Sequence, residues 1–87
     1  MKVQDLLSTP ERWTQGALAR SAGGDPVDPL SEDAVAWCLV GAIMRCYSHS
    51  QLEVEVIVPS NLRLNEWNDQ RDRTWQDVIH LVKHLGI

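Results

Sequence analysis

The run Ala34–Met44, AVAWCLVGAIM, is apolar from end to end. It falls short of the ~20 residues that a helix needs to cross a bilayer. Its apolar side chains cover nearly the whole circumference of a helical wheel, which suits burial on several sides rather than a surface stripe. The run predicts a central helix over 31–47, with Ser31 as N-cap, Glu32 and Asp33 at the positive end, and Arg45 where the helix emerges. A glycine inside a helix costs ~1 kcal/mol against alanine. The Gly41-Ala42 pair therefore points to close approach of another helix, or of a tryptophan ring, to bare backbone.

The other elements are shorter. Val3, Leu6 and Leu7 suit a short helix within 1–9, and Pro10 after Thr9 suits the start of a second one reaching about Arg20 and carrying Trp13, Ala17 and Leu18 inward. Residues 21–30, SAGGDPVDPL, read as a loop, since two glycines and two Asp-Pro pairs break any regular pattern. Over 48–66 two readings stand. The alternation around Val54, Val56 and Val58 suits a strand, paired across Pro59-Ser60-Asn61 with Leu62–Trp67 as a hairpin; Ser50 with Glu53 suits a capping box and a short helix instead. Trp67-Asn68-Asp69-Gln70 reads as a polar turn. Trp75, Val78, Ile79, Val82 and Leu85 then recur at helical spacing over 74–85, with Thr74 and Asp77 at the start and Gly86 at the stop.

The chain has 87 residues, which suits one domain over 1–87. The expected fold is mainly α: a small helical bundle around the buried central helix, with a short β-hairpin as the open alternative. There are four tryptophans, Trp13, Trp37, Trp67 and Trp75, and no phenylalanine. Indole buries a large area and also needs an acceptor for its N–H, so at least three of them are expected to tie separate segments together. The formal net charge is −4, and Arg63, Arg71 and Arg73 are interleaved with Glu66, Asp69 and Asp72. Binding nucleic acid through its backbone needs concentrated positive charge, so a nucleic-acid partner is disfavoured. The start, MKVQDLL, runs into STPERW without the long apolar core of a signal peptide. No membrane association is expected, and the expected location is the cytoplasm. Cys38 and Cys46, eight apart on the expected helix and roughly 12 Å along its axis, are beyond disulfide reach and suit a reducing compartment.

Candidate chemistry is sparse. His80 and His84 are four apart on one helix face, a spacing that suits zinc only with a third ligand such as His49, Asp77 or a cysteine. Two histidines near a helix C-terminus are also welcome there as solvated charges, and neither a metal nor any other cofactor is expected. Cys46 with His49 suits a thiol–imidazole pair in spacing, but nothing around either cysteine resembles a nucleophile's setting. Glu53 with Glu55, and Asp69 with Asp72, read as solvated carboxylates. The polar pair Asn68-Asp69 after Trp67 is the strongest candidate. One reading is an Asx cap on a turn; the other is a small ligand site formed by Asn68 and Asp69 with Arg20 or Arg45 reaching in.

Taken in order, Trp13, Thr14, Gly16, Ala17, Leu18, Ala19 and Arg20, then Ala34, Trp37, Cys38, Gly41 and Ala42, then Trp67, Asn68 and Asp69, resemble the pattern of a family of small bacterial and phage-encoded domains of unknown function. The resemblance implies an all-helical domain, including 50–60, in a cytoplasmic or phage-related setting. It implies no activity and no catalytic residue.

The function these features favour is a non-enzymatic interaction module, acting on another protein or on a second copy, with an exposed apolar patch near Trp67 or Trp75. The alternative is a ligand-binding or catalytic domain with a polar cleft at Arg20, Asn68 and Asp69.

Overall fold

The apolar run divides at Cys38 in the computed structural model, which describes residues 1–47 and 64–87. The chain passes through α1 (Val3–Leu6), a single 3-10 turn (Pro10–Arg12), β1 (Ala19–Ser21), β2 (Ala34–Trp37), α2 (Leu39–Tyr47), α3 (Leu64–Asn68) and α4 (Trp75–Leu85). The result is mainly helical, with one small two-stranded antiparallel sheet.

The expected helix over 31–47 is thus a strand followed by a helix, and tertiary partners explain the break. Ala34–Trp37 pairs with β1, in the register Ala19 to Trp37, Arg20 to Ala36 and Ser21 to Ala34, skipping Val35. The Cys38 amide donates to Leu18 O at 3.1 Å. A helix can begin at Leu39 because its first amides, which have no partner inside a helix, find acceptors there. Leu39 N donates to Asn68 Oδ1 at 3.1 Å and Gly41 N to Cys38 Sγ at 3.3 Å, while Ala42 N to Cys38 O at 2.8 Å is the first regular helical bond. Cys38 is therefore the cap, and Ser31 is not; the Ser31 hydroxyl accepts from Asp33 N within a turn.

The second expected helix, Pro10 to about Arg20, is also corrected. It stops after one 3-10 turn, and Gly16 takes a left-handed conformation at φ 79°. Beyond it the chain is extended: Thr14 N donates to Trp37 O, and β1 forms with β2 on one side and residues 25–27 on the other. Helix formation here is outcompeted by sheet pairing on both sides of β1. The close approach expected at Gly41 exists, but its partner is neither a helix nor an indole. A Cβ on Gly41 would overlap the carbonyl oxygen of Leu18 and stand 2.8 Å from its carbon.

The last helix follows its sequence signals. Thr74 Oγ1 accepts from Asp77 N and Asp77 Oδ2 accepts from Thr74 N, a complete capping box. Gly86 closes the other end at φ 73°, its N–H shared between Val82 O and Lys83 O. Of the two readings of 48–66, the hairpin one would make Leu62–Trp67 a strand, whereas Leu64–Asn68 is helical. The helix-or-strand choice over 50–60 lies outside the described residues.

One core joins these pieces: Val3, Leu6 and Leu7 of the N-terminal turn, Ala19, Trp37, Leu39, Val40, Ala42 and Ile43, and Val78 and Val82 from α4. α1 packs against both α2 and α4, and α3 packs against α2. The 3-10 turn before Trp13 packs on β2.

Candidate functional site

Asn68, at the end of α3, is fully buried and spends its whole hydrogen-bonding capacity. Its Oδ1 accepts from Trp13 Nε1 at 2.7 Å and from Leu39 N at 3.1 Å. Its Nδ2 donates to Thr14 O at 3.1 Å and to Asp69 Oδ1 at 2.9 Å. An amide side chain offers two donors and two acceptor lone pairs, and all four are satisfied by the chain itself. The residue is an Asx cap of an unusual kind, because it caps a helix far away in sequence.

Asp69 and Arg20 each bond to the turn at residues 14–16. Asp69 is exposed, and its Oδ1 also accepts from Gly16 N at 3.1 Å. Arg20 donates from Nε to Thr14 Oγ1 at 3.1 Å, and its two terminal nitrogens donate to Gly24 O at 3.0 Å and Gln15 O at 3.1 Å. Gln15 completes the fastening, with Nε2 donating to Asn68 O and Gln70 O. The three nominated ligand residues thus lie in one polar belt whose bonds join residues 13–16 to 68–70. Arg45, the other arginine considered, points elsewhere: it donates to Pro29 O and Ser31 O and lies 5.7 Å from the Trp37 ring centroid.

The nominated interface tryptophans are both half-buried. Arg73 lies over the face of Trp67, 3.9 Å from the ring centroid, within cation–π range. It also donates to Trp67 O and to Gln70 Oε1. Trp75 Nε1 donates to Leu7 O at 2.7 Å, and Trp37 Nε1 to Pro29 O at 3.0 Å. The apolar side chains that stand out to solvent among the described residues are different ones: Met1, Leu30 at 56%, Val35 at 46%, and Tyr47.

Leu30 lies within the first of two consecutive turns, and Val35 follows the second. Ser31 N donates to Asp28 O, closing the first around Pro29, and Ala34 N donates to Ser31 O, closing the second. Asp28 Oδ1 accepts from Leu30 N. Val35 faces outward between buried Ala34 and Ala36, as strand alternation dictates. None of these residues was nominated from sequence. The available signal was a single leucine set among Asp, Pro and Ser, where no core position was possible.

Both cysteines are free thiols. Burial pushes the Cys38 thiol up, although the amides of Gly41 and Val40 pull the other way. Burial also raises Cys46. His80 and His84 are exposed on α4, and His49 lies outside the described residues. Among the described residues no group of three or more His, Cys, Asp or Glu side chains is placed to hold a metal ion. No described helix is long and apolar enough to cross a membrane.

The chain belongs to a family of unknown function, DUF6197, whose model matches residues 1–85. No curated protein and no solved structure matches it.

Proposed function

We propose that this member of the family is a small interaction module without catalytic chemistry, binding another protein or a second copy of itself. Its setting is the cytoplasm of a bacterium, or a phage product made there. The observation that carries the reading is the exposure of Leu30 on a braced double turn and of Val35 just after it in β2. Apolar side chains held out on a rigid loop are available to a partner at little entropic cost on binding. The engagement of Asn68 and Arg20 within the chain supports the same reading over a ligand cleft. The half-buried, already bonded Trp67 and Trp75 favour the double turn over the tryptophans as the contact surface. Two unpaired thiols suit a reducing compartment.

Site-specific photo-crosslinking tests this. With a benzophenone side chain at position 35 or, as a control, at exposed Gln76, the native host should yield a discrete protein adduct from position 35 alone. An adduct of twice the chain's own mass identifies self-association. Equal yields from both positions, or none from 35, refute the reading.

A further inference from the structure

We infer that the partner of the Leu30–Val35 surface carries basic side chains around an apolar anchor, and is not a second copy of this chain. The inference rests on the interaction-module reading and adds the partner's chemistry.

Between Arg20 and Arg45 the sequence holds four carboxylates, Asp25, Asp28, Glu32 and Asp33, and no Lys, Arg or His. All four are exposed, and they bracket Leu30 and precede Val35. Glu32 and Asp33 occupy the two central positions of the second turn, between the exposed leucine and the exposed valine. The two arginines that reach this loop bond to its backbone, and their two charges offset its four carboxylates only in part. Arg20 donates to Gly24 O, and Arg45 donates to Pro29 O and Ser31 O, so both are spent bracing the backbone from the protein side.

The charge pattern decides between occupants. A two-fold contact through this surface would set each group of carboxylates against its own copy, and like charges brought together are costly. The net charge of −4 adds to that repulsion. A partner with Lys or Arg beside an apolar side chain gains twice: Leu30 and Val35 lose water, and the rim charges steer the encounter.

The test uses short synthetic amphipathic peptides: one of Leu and Lys, one of Leu and Glu, and one of Gly and Lys. Binding to the full chain is followed by anisotropy over a range of salt. The Leu/Lys peptide should bind in a salt-sensitive way. Leu30→Ser with Val35→Ser, and separately Glu32→Gln with Asp33→Asn, should each weaken it by about tenfold. Glu11→Gln with Asp72→Asn changes the net charge equally outside 25–35 and should leave binding within about twofold. Four outcomes overturn the inference: no Leu/Lys binding, equal weakening by both charge pairs, Gly/Lys binding that matches Leu/Lys, or Leu/Glu binding that matches it. If Leu/Glu binding depends on Leu30 and Val35, only the basic partner falls and the interaction surface stands. Loss of the position-35 adduct removes both.

Discussion

Asn68 Oδ1 and the indole nitrogen of Trp13 meet at 2.7 Å across 55 positions of the chain, and the same oxygen caps the first amide of α2. One short side chain thereby fixes the entry to the N-terminal extended segment, the start of the central helix and the end of α3. Removing it leaves an indole N–H, an amide and a carbonyl without the partners they have now. Each such orphan costs ~1–3 kcal/mol, so Asn68→Ala is expected to destabilise by about 3 kcal/mol or more. Asn68→Asp should be at least as damaging, because it sets a buried carboxylate oxygen against Thr14 O and Asp69 Oδ1. Urea unfolding monitored by circular dichroism measures both. A midpoint for Asn68→Ala close to that of the parent chain would contradict this account.

Gly41→Ala tests the contact between α2 and Leu18, the residue before β1. By helix propensity alone alanine would gain ~1 kcal/mol. In this position its methyl meets the Leu18 carbonyl, which is backbone and cannot rotate away. The clash should win, with a net loss of about 3 kcal/mol. A rise in melting temperature would show that β1 and α2 separate easily.

Acid should weaken the N-terminal cap of α4. The Thr74 amide and hydroxyl hold the Asp77 carboxyl below its usual range. A carboxyl depressed in the folded state favours folding above its unfolded value, and that contribution is lost as pH falls through the folded one. Asp77→Asn should flatten the acid limb of the stability profile. Thr74→Ala removes the hydroxyl half of the box, keeps the backbone N–H that Asp77 Oδ2 accepts, and should cost ~1 kcal/mol near neutral pH. Unchanged acid limbs in both variants would remove the box from the account.

The two thiols should separate in alkylation. Cys38 is buried and accepts from Gly41 N, whereas Cys46 is half-buried, and burial raises both. Iodoacetamide is expected to modify Cys46 first, and Cys38 at the rate of global unfolding. Because both stay protonated in the folded state beyond the ordinary thiol range, stability should fall as alkaline pH ionises them in the unfolded chain. Mass spectrometry of timed quenches gives the order, and early modification of Cys38 would show that α2 opens locally.

Sequence pattern reached some of this fold and missed the rest for identifiable reasons. The Thr74–Gly86 helix was fully legible, since cap, period and stop all lie within the element itself. The split at Cys38 was not, because helix and strand readings of AVAW differ only in partners supplied from elsewhere: β1, Leu18 O and Asn68 Oδ1. The same limit explains the 10–20 region, where Gly16 in the left-handed region was the available warning. At the candidate site, the importance of Asn68-Asp69 beside Trp67 was visible, and so was its capping character. That the capped helix would be α2 was not visible, because nothing local records an acceptor 29 residues away.

The indoles have a further consequence. Trp13 is tied to Asn68, Trp37 to Pro29 and Trp75 to Leu7, and with no phenylalanine and a single tyrosine the chain's ultraviolet emission comes almost wholly from tryptophan. Three joints of the molecule therefore each carry a built-in optical probe. Tryptophan-to-phenylalanine substitution at Trp67 and at two of these three at a time would let the remaining joint be watched as it lets go, so that the order of its dismantling could be read as colour.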